Sequence, residues 1–516
     1  MTEDGSTGVV FPRTGANTGA DRGTAGGRAA ADHAAVPARS TSALARAVVA
    51  DALRGPDPIG ARAAEGETNW RRGYVAHFRR LVEAGLTSPA DGRAIAEAGL
   101  TAVHARMRYI GRDGVETGLD GAFEPSASGS AAEGAAGLRT VTVDGQGEVD
   151  RELSIPYRGM RLRGADLQRQ IDAWTDRGVI EPSAAEAVLA VAANPEWLDL
   201  ADQRIAVLGA GAEMGPVHSL LRWGAGVVAV DLPRPAIWSR LLEINRRYGG
   251  SLHLPVRGDG DDASLVDRAG ADLLHDIAHV AEWLGGIDGR LVLGNYVYAD
   301  GAVNVRVSTA VDVLTARIIT ERPDTALAFL ATPTDVFAVP SEAVAFSVEA
   351  YRRPSTIKRV RQPVRMLSAG RLLRRNYAPG ADPGICDSLV AQQGPNYALA
   401  KRLQRWRATV ARAAGTTVSL KVAPPTRTRS VVKNRALAAA YAGAHLFDVE
   451  VFEPATSNTL MAALLVHDLR APTPAAEYPW QDEAHGAAHG GLWRGPYAPR
   501  SALGLAAMIG FGGARA

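Results

Sequence analysis

A tyrosine and a lysine stand four positions apart in the segment GPNYALAKRLQRW, at residues 394–406. Residues four apart on a helix share a face, so the phenol of Tyr397 and the ammonium of Lys401 would converge on one point. A positive charge close to a phenol stabilises the phenolate and lowers its pKa from about 10. General acid and base catalysis is most effective when the pKa lies near the working pH. The pair therefore predicts proton transfer to or from a substrate oxygen.

Lysine is rare in this chain, since only Lys358, Lys401, Lys421 and Lys433 occur among 57 basic residues. A compact ammonium fits beside a titrating group, whereas the guanidinium of arginine is planar and always charged. The rarity of lysine thus makes Lys401 a candidate for a specific role. The alternative is an exposed tyrosine and a solvated lysine on the outside of a helix, because Arg402 follows Lys401 directly.

A glycine-rich turn lies in RIAVLGAGAEMGPVHSLLRWGAGVVAVD, residues 204–231, between two apolar runs. The pattern predicts a strand, a turn, a helix and a second strand. Gly209 and Gly211 would allow a tight turn and a close approach of the backbone to a pyrophosphate, and Gly215 would let the helix pack near the strand. These features predict a dinucleotide site.

The second strand of this unit ends at Asp231, whose carboxylate would accept hydrogen bonds from ribose hydroxyls and repel a 2′-phosphate. We therefore expect NAD or NADP, with NAD favoured by Asp231 and opposed by the nearby Arg234. A methyltransferase that binds S-adenosylmethionine is the competing interpretation. That class normally has an acidic residue and a third glycine where this chain has Val207 and Glu213, and a glycine turn that binds nothing is the third interpretation.

The chain from residue 204 alternates apolar runs with amphipathic helices, which is typical of a parallel sheet with helical crossovers. We predict seven strands, at 204–208, 227–230, 251–256, 290–295, 325–337, 416–430 and 448–454. The predicted fold class is α/β, with a doubly wound, mostly parallel, Rossmann-like sheet. Tyr298, Asp300 and Arg306 follow the fourth strand, where such a sheet places its ligand crevice.

The order of these parts resembles the short-chain dehydrogenase/reductase superfamily over residues 204–467. In that family a glycine turn follows the first strand and an Asn/Gly segment the fourth. A Ser or Thr follows the fifth strand, Tyr-x-x-x-Lys lies on the next helix, and a Pro-rich turn with a Thr follows the sixth strand. The matching residues are Gly209, Gly211 and Gly215, then Gly294 and Asn295, then Thr332 or Thr334, then Tyr397 and Lys401, then Pro424 and Pro425 with Thr426 or Thr428.

The resemblance implies a nicotinamide-dependent oxidoreductase that acts on a small carbonyl or alcohol substrate. In it Tyr397 would be the acid/base, Lys401 would bind the nicotinamide ribose, and Thr332 or Thr334 would donate a hydrogen bond to the substrate oxygen. A dinucleotide-binding sensor or scaffold without turnover is the alternative from another class of function.

The composition shifts divide the chain into four predicted parts. They are a disordered tail at 1–45, a mainly helical N-terminal domain at 46–200, a Rossmann-like domain at 201–467 with an insert at about 338–393, and a C-terminal extension at 468–516. The helical domain is expected to be a cap or an oligomerisation element, so a homo-oligomer is one expectation.

The composition also excludes several classes of function. The 57 basic and 55 acidic residues are spread along the chain, which predicts no field that attracts nucleic acid or an anionic membrane. No apolar run is long enough to span a bilayer, and the single cysteine, Cys386, suits a reducing compartment. His485 and His489 have glycine-rich flanks that oppose a helix, so we predict no metal site. A cytoplasmic protein is expected.

Overall fold

The computed structural model describes residues 7–13, 39–124, 137–258, 264–353 and 356–513. The strands in these ranges are β1 (Gly8–Val10), β2 (Arg108–Ile110), β3 (Glu116–Thr117), β4 (Arg139–Asp144), β5 (Ile155–Tyr157), β6 (Met160–Leu162), β7 (Gln203–Leu208), β8 (Gly226–Val230), β9 (Ser251–Val256), β10 (Arg290–Asn295), β11 (Ala326–Ala331), β12 (Val336–Val339), β13 (Gly384–Asp387) and β14 (Val418–Val422).

The α-helices form the larger part of the structure. They are α1 (Thr41–Leu53), α2 (Pro58–Glu65), α3 (Trp70–Gly85), α4 (Pro89–Arg106), α5 (Gly164–Asp176), α6 (Pro182–Ala193), α7 (Val217–Arg222), α8 (Pro235–Arg246), α9 (Leu265–Arg268), α10 (Ile277–Gly285), α11 (Gly301–Glu321), α12 (Ser341–Arg352), α13 (Thr356–Leu367), α14 (Gly394–Ala413), α15 (Arg429–Lys433), α16 (Arg435–Gly443), α17 (Pro454–Arg470), α18 (Pro479–Ala484) and α19 (Pro499–Gly513). Within the described ranges, each helix is too short or too polar to cross a lipid bilayer.

The central sheet has seven strands in the order β14-β11-β10-β7-β8-β9-β4. All neighbouring pairs are parallel except β4 with β9, which run antiparallel. Counted from β7 along the chain, the six parallel strands lie in the order 6-5-4-1-2-3, which is the order of dinucleotide-binding sheets. The predicted α/β class and mostly parallel sheet are confirmed.

Helices cover both faces of this sheet, because alternate residues of each strand point to opposite sides. In β7, Ala206 and Leu208 belong to the core that holds α10, α11 and α14. Ile205 and Val207 belong to a second core with α7, α8 and α17. Strands that are buried on both faces read as continuous apolar runs, which is why the sequence revealed them.

The seventh strand is not the one predicted. Residues 448–454 form only a single bridge, Thr426 with Phe452, and β4 occupies the other edge of the sheet instead. Pro454 begins α17, and Asp448 has a positive φ of 62°. The extended segment between them is therefore too short and too constrained to build a ladder. The predicted fifth strand at 325–337 is also divided, since β12 leaves the central sheet and pairs with β13.

The N-terminal helices do not form a core of their own. Val48 of α1, Phe78 of α3 and Leu100 of α4 belong to the same buried cluster as Phe329 of the sheet and Trp406 of α14. The predicted independent helical domain is therefore not confirmed, and this region packs as a layer over the sheet.

The prediction of a disordered tail is wrong for residues 7–13, the first residues of the tail that the structure describes. Strand Gly8–Val10 is buried, pairs with β2, and donates a backbone hydrogen bond of 3.1 Å from Val9 N to Leu274 O. Residues 1–6 and 14–38 of the predicted tail lie outside the described residues.

The C-terminal extension closes one side of the molecule. Helix α19 packs against α16, where backbone oxygens of Ala506 and Ala439 lie directly against Gly443 and Gly510. Any side chain at either glycine would meet the opposite backbone, so this pair of helices depends on close small-residue contact.

One glycine allows the N-terminal layer to contact α14. A Cβ added at Gly99 of α4 would lie 2.6 Å from Cε3 of Trp406, whose ring is buried in the core. The absence of a side chain at residue 99 therefore sets the distance between α4 and the helix that carries Tyr397.

The change Gly99→Ala should lower the stability of the chain by about 1–3 kcal/mol, because the added methyl group overpacks against a rigid ring. A thermal or urea melt measures it. Gly504→Ala on α19 is the matched control, since a Cβ there meets no atom within 4 Å. The control should melt at or slightly above the wild-type temperature, and an equal melt for Gly99→Ala would contradict the contact.

Candidate functional site

A cavity of about 1350 Å³ lies at the carboxyl ends of the parallel strands. It lies at the ends of the neighbouring strands β7 and β10, where the strand order of the sheet reverses, which is the ligand position in doubly wound sheets. Nine of the eleven predicted site residues line it: Gly209, Gly211, Asp231, Asn295, Thr332, Thr334, Tyr397, Lys401 and Thr428. The sequence therefore predicted most of one continuous surface from segments that are far apart along the chain.

Gly215 and Gly294 do not line the cavity among its described residues. A Cβ at Gly294 would lie 2.5 Å from Cε2 of Tyr296, so this glycine makes room for a buried ring. Gly215 lies in a turn, and its N–H donates to Ala212 O at 3.1 Å. The structure gives Gly294 a packing role and Gly215 a turn role next to Val207 of β7.

Gly209 is required by the backbone. Its φ is +84°, and an added Cβ would lie 2.9 Å from Tyr296 O. A positive φ of this kind favours glycine over other residues. The turn therefore brings bare backbone to the wall of the cavity, as the sequence predicts for a phosphate-facing loop.

Asp231 holds this glycine turn in place. Its Oδ2 accepts from Gly211 N at 2.7 Å and its Oδ1 accepts from Leu232 N at 2.8 Å. Arg240 Nη2 donates to Gly211 O at 2.7 Å from the other side. Burial raises the pKa of the Asp231 carboxyl group, and these backbone hydrogen bonds oppose that effect. The residue predicted to bind ribose thus has a structural role in the loop as well.

The helix after the turn is shorter than a pyrophosphate-binding helix usually is. Helix α7 has six residues and begins at Val217, eight positions after Gly209. Loop backbone therefore forms this wall of the cavity.

Tyr397 lies in the second turn of α14 and is half-buried. Its ring contacts that of Tyr298 edge to face, with 6.3 Å between centroids. Burial raises the pKa of the Tyr397 phenol, a hydrogen bond with Thr332 lowers it, and the nearby Asp335 carboxylate raises it. The expected lowering of the Tyr397 pKa is therefore wrong, because burial raises this pKa by more than the hydrogen bond with Thr332 lowers it.

The hydrogen bonds of Lys401 go to groups other than the phenol. Its Nζ donates to Leu330 O at 3.3 Å and to Gln404 Oε1 at 3.0 Å. Gln404 Nε2 in turn donates to Asn295 Oδ1 at 3.3 Å. Burial lowers the pKa of Lys401 to about 8. The lysine thus belongs to a polar chain that ends at the fourth parallel strand, and its ammonium has no carboxylate partner among the described residues.

The two candidate threonines lie on the turn after β11. Their hydroxyl oxygens are 2.9 Å apart, and Thr334 N donates to Thr332 Oγ1 at 3.4 Å. Because Thr332 also bonds the Tyr397 phenol, it is the better placed of the two to share a substrate oxygen with that group.

The turn after β14 contributes Thr428, whose Oγ1 is 2.9 Å from Ser430 Oγ. The hydroxyl of Thr426 is buried and donates to Pro424 O at 2.8 Å, so its role is structural. The same turn contacts the glycine loop through Arg429, whose Nε lies 2.9 Å from Glu213 Oε1.

Buried ion pairs orient α14. Arg402 Nη2 lies 3.0 Å from Asp335 Oδ1, and Arg405 Nη1 lies 2.6 Å from Asp335 Oδ2. Arg405 also pairs with Glu483 of α18 at 2.5 Å. Asp335 directly follows the threonine turn, so one carboxylate ties that turn to the helix that carries the tyrosine.

Several cavity residues were not predicted from the sequence. Thr41, Ser42 and Arg71 reach the cavity from α1 and α3, and Tyr441 reaches it from α16. Gln404 lies behind this wall, where it bonds Lys401, and it could have been found because it follows Lys401 by three positions on the same helix face. The predicted Tyr298 and Asp300 line the cavity, whereas Arg306 donates to the carbonyl oxygens of the N-terminal strand region instead.

No protein-family model matches this chain, and no curated protein matches it. The interpretation of the cavity therefore depends on its own residues.

The change Lys401→Met should raise the stability at pH 7 by about 1–3 kcal/mol, because the folded state holds this ammonium below its ordinary pKa of 10.5. The unfolded chain binds more protons than the folded chain between pH 8 and pH 10.5, so wild-type stability rises there with pH. The advantage of the variant should therefore shrink over that window. Melting temperatures of both proteins between pH 7 and pH 9.5 measure it.

Lys421→Met is the matched control for this experiment. Lys421 Nζ pairs with the buried Asp468 at 3.1 Å. Removal of the lysine leaves a buried carboxylate without its cation, so this variant should be less stable than wild type. If both variants lose stability to the same extent, the Lys401 ammonium has a stabilising partner in the folded protein. That result would contradict our interpretation.

Proposed function

We propose that the chain binds NAD or NADP and catalyses hydride transfer between the nicotinamide and a carbonyl or alcohol substrate. The observation that carries the proposal is that one cavity gathers the glycine turn, Asp231, Thr332, Tyr397 and Lys401. An acid, a cation and a hydroxyl donor around one oxygen-binding position suit carbonyl chemistry. The proposed localisation is cytoplasmic, and a homo-oligomer remains part of the proposal.

The glycine turn fits a dinucleotide. A Cβ at Gly211 would lie 2.8 Å from Arg240 Nη2 and 3.1 Å from Asp231 Oδ2, so the close packing of these two side chains on the turn favours glycine there. Gly209, Gly211 and Asp231 would hold the cofactor at this end, and Asn295 and Lys401 would hold it near the fourth and fifth parallel strands.

The choice between NAD and NADP depends on opposing charges near the end of β8. The carboxylate of Asp231 favours ribose hydroxyls, as the sequence predicts. Arg234 and Arg240 lie close enough to lower the pKa of that carboxyl group, and both line the same cavity. A titration must therefore include both cofactors.

The residues around Tyr397 favour the direction of reduction. A phenol whose pKa is raised is protonated at neutral pH, so Tyr397 would donate a proton to a carbonyl oxygen. Thr332 would orient the same oxygen, and the Lys401 ammonium would stabilise the phenolate that remains. The nicotinamide, when bound, supplies the hydride.

A sensor or scaffold without turnover is the second candidate. The observation that favours it is that Lys401 donates to Leu330 O and Gln404 Oε1, and its charge is not a cause of any shift in the pKa of Tyr397. In this case the cavity would bind the nucleotide and the tyrosine would serve only as its wall.

Calorimetric titration of the full chain with NADH, NADPH and S-adenosylmethionine tests the proposal first. We expect one of the two nicotinamide cofactors to bind and S-adenosylmethionine not to bind. Reduction of a panel of aldehydes and ketones, followed at 340 nm, then tests turnover. Tyr397→Phe should reduce turnover by at least about a hundredfold and leave cofactor affinity nearly unchanged, because proton transfer contributes about 10²–10⁴.

Each other outcome has a distinct meaning. Binding of S-adenosylmethionine alone would support the methyltransferase interpretation. Cofactor binding with no turnover on any carbonyl would support the sensor. Full turnover in Tyr397→Phe would remove the tyrosine from the mechanism. Tyr441→Phe, at another tyrosine that lines the cavity, is the matched control and should retain most of the activity.

The rate of reduction should fall as the pH rises above about 8, because Lys401 loses its proton there. Measurement of kcat across pH 6 to pH 10, with the best carbonyl from the panel, gives the profile. In Lys401→Arg the guanidinium keeps its charge at every pH of the series, so the alkaline fall should move to higher pH. An identical profile in both proteins would assign the fall to another group.

A further inference from the structure

The overall charge balance conceals a local excess in the insert. Residues 350–381 contain nine basic residues and no acidic residue. The expectation that no part of the chain presents a field of one sign is therefore wrong for this segment, which includes α13 and the turn that follows it.

Helix α13 is amphipathic, and the side chains of its inner face pack against the rest of the protein. Ile357 and Val364 pack against the buried cluster that holds Leu373, Phe447 and Tyr497. These contacts attach the helix to the lobe formed by the insert and α19. The helix is therefore held in place by one face only.

The side of α13 next to this packed face exposes large apolar side chains to water. Val360 is 47% exposed, Met366 is 83% exposed and Leu367 is 90% exposed. At about 3.6 residues per turn, Val360 and Leu367 lie about 20° apart and Met366 lies about 100° from Leu367, so the three side chains span an arc of about 120°. Exposure of neighbouring aliphatic groups is unfavourable in water, so this stripe requires an apolar partner.

Free cations surround the apolar stripe. Arg359, Arg371 and Arg374 are exposed, and within the described residues their side chains make no hydrogen bond or ion pair. By contrast, Arg361 donates to Tyr351 O at 2.8 Å and Arg365 donates to Leu373 O at 3.2 Å. The inner arginines stabilise the lobe, whereas the outer ones bond no group in the described part of the chain.

We propose that this outer surface, formed by Arg359, Val360, Met366 and Leu367 of α13 with Arg371 and Arg374 of the turn that follows it, docks on an anionic lipid surface. Aliphatic side chains between cations match a bilayer interface, where apolar groups enter the acyl boundary and guanidinium groups remain at the phosphates. A single-stranded nucleic acid would instead require aromatic side chains for base stacking, and the outer surface has none. The binding is peripheral and independent of the proposed redox function.

Sedimentation of the full chain with lipid vesicles tests the proposal. Vesicles of phosphatidylcholine mixed with phosphatidylglycerol should bind the protein, and vesicles of phosphatidylcholine alone should bind it weakly. Added salt should weaken the binding, because the lipid charges become screened. The double change Met366→Asp with Leu367→Asp should weaken it by about tenfold or more, since both side chains lose their apolar contact.

Charge variants and a control distinguish this interaction from non-specific binding to vesicles. Each change of Arg359, Arg371 or Arg374 to Gln should weaken binding by about fivefold. Ile59→Asp is the matched control, because Ile59 of α2 is 65% exposed and lies far from the insert in sequence. It should bind vesicles like wild type. Melting temperatures of all variants should agree, since the changed side chains contact solvent.

Three results would overturn the proposal. The first is absence of binding to anionic vesicles at low salt. The second is equal loss of binding in the Ile59→Asp control. The third is that the α13 variants abolish a dimer in sedimentation velocity and leave vesicle binding unchanged, which would identify a second copy of this chain as the partner.

Discussion

The buried ion cluster around Asp335 is the constraint on which the candidate site depends. Arg402 and Arg405 of α14 both pair with this carboxylate, and Arg405 also pairs with Glu483 of the C-terminal extension. Loss of one partner of such a cluster costs about 3–5 kcal/mol, because the remaining charges stay buried. The cluster therefore fixes the rotation of α14 and, through Asp335, the threonine turn. Tyr397 and Thr332 meet because one set of charges positions both.

The sequence could predict the parallel strands and most of the cavity, for a common physical reason. Strands buried on both faces need continuous apolar runs, and residues at strand ends meet at one edge of the sheet. It could not predict β4 as the seventh strand in place of residues 448–454. Both segments are short and extended, and the choice between them depends on pairing across more than 100 residues of chain. Local patterns carry no information about that choice.

Spacing also has a limit when it is used to infer chemistry. The four-residue interval correctly predicts that Tyr397 and Lys401 lie on the same cavity wall. It does not predict the direction of the ammonium, which is set by Leu330 O and Gln404 Oε1. Nor does it predict that burial controls both pKa values. The charge of a group is a property of its surroundings, and those surroundings come from elements scattered over the whole chain.

The contact between Gly99 and Trp406 has a consequence for synthesis on the ribosome. The two residues are separated by about 300 positions, and α4 also packs on α1 and α3, which lie before and beside it in the chain. The part of α4 that packs on Trp406 therefore stays in water until α14 has been translated, although α1 and α3 cover the rest of the helix earlier. Such nascent chains are prone to association, so biosynthesis of this fold favours slow-folding intermediates that are shielded by chaperones.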